Sequence, residues 1–150
     1  MSAREIRLAC VQMRCTQDRE ENLNAAERLC RRAAEEGAQV ILLPELFERQ
    51  YFCQERRYEY YAYAELTEEN AAVRRFLSVS EELSVTLPIS FYERAGMVSY
   101  NSVAMLDCGK LLGVYRKTHI PDDHCYQEKF YFTPGNTGFR VFDTRHGKIG

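Results

Sequence analysis

What this sequence lacks narrows it first. It has no charge excess: 20 Lys and Arg stand against 22 Asp and Glu, for a formal net charge of −2. That removes the electrostatic footprint of a nucleic-acid binder or of a protein drawn to an anionic membrane. No apolar run approaches the roughly 18 residues that suggest a spanning helix. The opening MSAREIRLAC has no apolar core of a secretory signal. These absences point to the cytoplasm. The six cysteines, at 10, 15, 30, 53, 108 and 125, include no C-x-x-C pair. Three disulfides would need a secreted setting, so they read as reduced thiols. His119, His124 and His146 show no metal-ligand spacing. There is no glycine-rich phosphate loop, no repeat, no low-complexity tract and no linker.

What is present reads as one α/β domain. Its 150 residues, 45% hydrophobic, are enough for a sizeable core. "IRLACVQM", residues 6 to 13, has the composition of a buried strand. Asp18 with Glu21 three residues later resembles a capping box. Leu23, Ala26, Leu29, Cys30 and Ala33 then follow at helical spacing, and Gly37 is a natural stop. Cys10 and Cys30 fall on apolar faces, where a free thiol packs as a small hydrophobe. "QVILLPE" returns as a strand, which completes a βαβ unit and makes the two strands parallel. A second helix is expected from about Glu69 to Ser84, with Val73, Phe76, Leu77 and Leu83 inward. "TLPISFYER", "MVSYNSVAMLD" and "KLLGVYRKT" read as three further strands, the last two a hairpin turning at Asp107-Cys108-Gly109. His119 to Gly138 reads as loop, and "FRVFDTRHGKIG" as a hairpin turning near His146-Gly147. The expected architecture is a mixed sheet with helices on at least one face.

The chemistry gathers at strand ends. In "LLPELF", residues 42 to 47, an apolar strand delivers Glu45 between Pro44 and the apolar pair Leu46 and Phe47. An unpaired buried carboxylate there is costly, so it needs a partner or a purpose. The carboxyl ends of strands in open α/β sheets are where ligands bind. Lys117 ends the strand "LLGVYRK" and is the natural counter-charge. Such a pair stabilises both charged forms and sets a proton acceptor beside a cation. A purely structural ion pair fits the same spacing.

Three strings decide between these readings. "LLPELF", "GVYRKTHIPD" and "YQEKFYFTPG" occur in this order. Together they resemble the nitrilase, or carbon–nitrogen hydrolase, superfamily. "ELFERQYFCQ" with "YQEKFYFTPGNTGFRVFDT" is most similar to its N-carbamoylputrescine amidase branch. The resemblance covers essentially the whole chain. It implies an αββα sandwich of the nitrilase type, of which residues 1–150 hold only the N-terminal half of a single domain.

The resemblance also implies roles. Glu45 would be the general base that accepts a thiol proton, and Lys117 would stabilise the oxyanion of a tetrahedral intermediate. Glu128 matches the family's second glutamate and would orient Lys117 or substrate. Without the resemblance, Glu128 in "QEKF" reads as a solvated loop carboxylate. The nucleophilic cysteine is expected just after the strand that opens with "KIG", beyond Gly150, so none of the six cysteines is assigned to it. Cys125, in "DDHCYQ", is read as variation. Cys53 is expected to line or support the pocket entrance. Tyr51, Glu55 and Tyr58 are unranked candidates for an acidic or aromatic subsite that holds a cationic amine. His119 is expected to fix the loop after Lys117.

The tyrosine-rich "RRYEYYAYAE", residues 56 to 65, reads as packing or a pocket rim, because its glutamates cancel its arginines. The implied enzyme needs no cofactor and no metal. It acts on a small-molecule N-carbamoyl amine or amide, and binds neither nucleic acid nor membrane. Full-length members of the family are commonly homo-oligomers. β-Ureidopropionase-like and omega-amidase activities are rival readings within the family, and a catalytically dead binding module is the rival outside it.

Overall fold

The structure, a computed structural model, describes residues 5–150. The first four residues of the stretch compared with a secretory signal lie outside the described residues. Strand β1 (Leu8–Cys10) runs parallel to β2 (Val40–Leu42), with Leu8 opposite Val40 and Cys10 opposite Leu42. Between them lies helix α1 (Arg19–Glu35). Its start is explained by Asp18, whose carboxylate accepts the Glu21 N–H at 3.0 Å. Glu21 does not return the favour to the cap and instead accepts the Thr16 hydroxyl at 2.8 Å. Gly37, at φ +90°, ends the helix in a conformation that favours glycine.

Helix α2 (Ala71–Leu83) is capped by Asn70, which accepts from the Val73 N–H at 3.0 Å, and it ends on Ser84 in a left-handed conformation. Val73 and Phe76 are fully inside, as the periodicity predicts. Ala72 and Val79 join them, while Leu77 and Leu83 pack only partly against the core.

Three longer strands follow: β3 (Thr86–Ala95), β4 (Val98–Asp107) and β5 (Lys110–Arg116). The sheet order is β1-β2-β3-β4-β5, parallel across the first three and antiparallel across the last two pairings. The sheet is therefore mixed, and α1 and α2 cover one face. Leu23, Ile41, Phe47, Phe76, Leu87 and Ile89 form the centre of that core.

The other face has two parts. Along β3 the alternation puts Pro88, Ser90 and Tyr92 on it, and the register sets Met105, Val103 and Asn101 of β4 opposite them. At one end Tyr92 joins Leu46, Phe52, Tyr60, Tyr131 and Phe132 in a second, aromatic core. At the other end Leu8, Cys10, Leu42, Val103, Met105 and Tyr115 line an apolar groove of about 710 Å³. Cys10 is consequently exposed, not packed: its strand face carries apolar side chains with nothing laid over them. Cys30 is buried in the helix-side core.

The segment read as loop holds a small hairpin, β6 (Asp122–Asp123) with β7 (Tyr126–Gln127). A short 3-10 helix, Glu128–Phe130, follows it. The last hairpin pairs β8 (Phe142–Asp143) with β9 (Lys148–Ile149) around a turn in which the Thr144 N–H reaches the Gly147 carbonyl.

Candidate active site

Glu45 is set by the turn that follows β2. Leu46 adopts φ +52°, which a leucine rarely does, and its N–H is held by the Ser90 hydroxyl at 3.0 Å. That turn sends Leu46 into the aromatic core and Phe47 into the helix-side core. With its neighbours anchored on opposite sides, Glu45 stands out over the sheet. Its side chain is 46% exposed, so the carboxylate is not the buried one that the sequence suggested. The apolar residues around it bury themselves and leave it at the rim of a pocket.

Lys117 continues the β5 ladder, with its N–H on the Asn101 carbonyl at 2.8 Å. Its Nζ lies 2.8 Å from Glu45 Oε1 and 2.9 Å from Glu128 Oε2. Glu128, which opens the short 3-10 helix, is the buried carboxylate, at 2% side-chain exposure. Tyr51 donates its hydroxyl to Glu128 Oε1 at 2.6 Å, and Asn101 Nδ2 donates to Glu45 Oε1 at 2.6 Å. One cation thus sits between two carboxylates, with an amide and a phenol as neutral donors. Burial draws the Lys117 ammonium down, but its hydrogen bonds and charge contacts with Glu45 and Glu128 outweigh this and hold it above the ordinary lysine value. Burial, and then the bond to Glu128, raise the Tyr51 phenol, so it stays a donor. A pocket of about 290 Å³ beside these groups is lined by Glu45, Lys117, Ser90, Asn101, Tyr115 and apolar residues of β2, β3 and β4. A fixed cation next to a half-open carboxylate can polarise a carbonyl oxygen and take a proton.

The structure therefore brings Glu45, Lys117, Glu128 and Tyr51 together. It separates the remaining candidates. Cys53 is fully buried in the aromatic core and supports the site from behind without lining its entrance. Burial, followed by the charges of Glu128 and Glu45, pushes its thiol well up, away from the thiolate a nucleophile needs. Glu55 contributes its backbone carbonyl to the Tyr131 hydroxyl at 2.5 Å, and its carboxylate faces Arg57 at 3.6 Å. Tyr58, 79% exposed, stacks on Tyr61 at the surface. His119 is exposed and makes no side-chain hydrogen bond among the described residues. The loop after Lys117 is fixed instead by Tyr115 with Thr118, at 3.2 Å, and by buried Ile120. Cys125 sits at φ +68° in the exposed β6–β7 turn. His146 is buried against the Ser84 carbonyl at 3.1 Å. No cluster of three or more His, Cys, Asp or Glu suited to a metal occurs among the described residues.

Asn101 was missed from the sequence. The sequence shows only a polar residue inside the apolar strand "SYNSVAML"; the strand register opposite Tyr92 is what brings it to the site. Ser90, in "LPISFY", is a second case.

A family model described as carbon–nitrogen hydrolase matches residues 7–150. The chain is 48% identical over 147 residues to an N-carbamoylputrescine amidase of Oryza sativa subsp. japonica, which spans 97% of this chain and 49% of that protein. It is 42% identical over 146 residues to a citrullinase of Francisella tularensis subsp. tularensis, covering 97% and 51%. Among solved structures, a carbon–nitrogen hydrolase from Helicobacter pylori G27 superposes with a TM-score of 0.87 at 33% identity, over 95% of this chain and 50% of that one. The chain spans about half the length of the curated relatives it matches.

Proposed function

The chain belongs to the carbon–nitrogen hydrolase family, and from that premise we propose that it is the N-terminal portion of an amidohydrolase that cleaves N-carbamoylputrescine to putrescine, carbon dioxide and ammonia. The observation that carries this is Lys117 held between Glu45 and Glu128 at the edge of a pocket. In this reading the nucleophile is a cysteine thiol supplied from beyond Gly150. Glu45 takes the thiol proton, and the thiolate attacks the ureido carbonyl. Lys117 meets the oxyanion, and ammonia leaves with the proton returned by Glu45. Glu45 then activates water, which releases the carbamate from sulfur, and the carbamate breaks down to amine and carbon dioxide. Glu128 and Tyr51 keep Lys117 cationic and in place. The reaction needs no cofactor. The setting is the cytoplasm and the full-length protein a homo-oligomer.

Two similarities support a ureido substrate: the amidase from rice and the citrullinase both match over nearly the entire chain. Citrulline is the second reading on that ground. It differs from N-carbamoylputrescine by an α-carboxylate, which calls for a cation in the pocket besides Lys117. The test measures ammonia release by the full-length protein from both compounds and from simple ω-amides. We expect kcat/KM for N-carbamoylputrescine to exceed the others at least about tenfold. Preference for citrulline would move the assignment to the second reading, and activity on ω-amides alone would overturn both.

A further inference from the structure

We infer that Asn101 is a positioning residue for Glu45: its amide occupies Oε1 and thereby leaves Oε2 as the oxygen that accepts protons. This rests on the reading of Glu45 as the base. The geometry is specific. Asn101 is 3% exposed, in the middle of β4, and it is tied to both members of the Glu45–Lys117 pair. Its carbonyl accepts the Lys117 N–H at 2.8 Å, and its Nδ2 donates to Glu45 Oε1 at 2.6 Å. A second, longer contact of 3.5 Å runs from Nδ2 to Glu128 Oε2. Both neighbours of Nδ2 are carboxylate oxygens, which only accept, so the amide must present its NH₂ and not its oxygen.

Consider Glu45 without Asn101. It is half exposed and carries three rotatable bonds, and its other protein partner at Oε1 is Lys117 Nζ. That ammonium is shared with Glu128, so Lys117 by itself permits several Glu45 orientations. Asn101 supplies a second fixed donor on the same oxygen. It does so without charge, so the balance of one cation and two carboxylates is unchanged. Among the described residues Oε2 has no hydrogen-bond partner, and Glu45 lines the pocket. A carboxylate whose one oxygen is doubly held and whose other is free presents its lone pair in one direction. That is what transfer to and from a thiol and then a water requires.

The test uses the full-length protein with Asn101→Ala and the isosteric Asn101→Asp. The second variant keeps the shape but places a third acceptor against Glu45 and Glu128. Crystal structures and steady-state kinetics would be compared with the parent. We expect kcat to fall about 10- to 100-fold in Asn101→Ala with KM within about threefold, since misorientation of a base acts on the chemical step. Asn101→Asp should fall further. In both structures the Glu45 carboxylate should leave its Lys117 contact or occupy more than one rotamer. Loss confined to KM, a kcat within about twofold of the parent in either folded variant, or an unmoved Glu45 carboxylate would each overturn the inference. If the parent hydrolyses no ureido compound, the proposed function fails and the position of Glu45 in the variant structures decides about Asn101 by itself.

Discussion

Lys117 answers to two carboxylates of very different exposure, Glu45 at 46% and Glu128 at 2%. This difference separates catalysis from stability. Glu45→Gln keeps the shape of a half-exposed side chain, so folding should be nearly unchanged. On the proposed mechanism, turnover of the full-length protein should fall about 10²- to 10⁴-fold, the usual range for a lost general base, as ammonia release would record. Lys117→Met acts on the other partner. It strands the buried Glu128 with its charge unpaired, at a cost of about 3 kcal/mol, the low end of the usual range because Lys117 is itself partly exposed. Urea unfolding should therefore place the midpoint of Lys117→Met well below that of Glu45→Gln, and equal midpoints would contradict this.

Alkaline pH tests Lys117 together with a thiol in the helix-side core. Lys117 is held above the ordinary lysine value, so its contribution is intact below that value and is lost as pH climbs through the raised one. Burial pushes the Cys30 thiol from 9.0 up to about 12. The unfolded chain thus gives up this proton first, and stability falls through that same window. The unfolding free energy should fall by about 1.4 kcal/mol per pH unit between pH 9 and pH 12 on account of Cys30, with Lys117 adding to the slope above the ordinary lysine value, and the melting temperature should fall with it. Cys30→Ala should flatten the slope.

At the level of elements, the two helices show how one capping rule acquires different weight. Asp18 caps α1 at the surface, and its replacement by Ala should cost about 1 kcal/mol. Asn70 caps α2 from a fully buried position and also donates to Glu48 Oε2 at 2.9 Å and Glu65 Oε2 at 3.2 Å. The same two carboxylates hold Arg19 of α1, at 2.6 and 2.5 Å. The cluster joins the starts of both helices to the segment that carries Glu45. Asn70→Ala removes a cap and donors to the buried Glu48 and the part-buried Glu65, so about 2–3 kcal/mol is expected. Chemical denaturation should place it well below Asp18→Ala. Equal midpoints would mean that the cluster contributes little beyond the cap.

On the scale of the whole molecule, the two sheet faces behave differently. The helix side is closed, whereas Leu8 at 68%, Leu42 at 50%, Phe139 at 83% and Val141 at 67% exposure leave the other apolar. Residues 1–150 expressed alone should bind a hydrophobic dye and associate with rising concentration. Leu42→Gln combined with Phe139→Gln should reduce both effects. Sedimentation as a monodisperse monomer without dye binding would contradict this. The same chain should release no ammonia from N-carbamoylputrescine, because the buried Cys53 thiol is held protonated beside Glu45 and no other thiol is assigned a role there.

The sequence by itself determined the parallel βαβ start, both helices and the long antiparallel strands, because hydrophobic period and caps act locally. It also determined that Glu45 and Lys117 stand at strand ends, since the chain's own breaks place them there. The tertiary structure decided the rest. The β6–β7 hairpin left no sequence signal because its strands hold two residues each and its turn, His124-Cys125, has no glycine, whereas Gly147 marks the equally short β8–β9. Exposure of Glu45 and burial of Glu128 reversed the expectation, because burial depends on which side chains cover a group and not on its sequence neighbours. Asn101 became visible only through register: position 101 lies opposite Tyr92 and pairs with Lys117 across two strands, a relation that spacing along the chain does not contain.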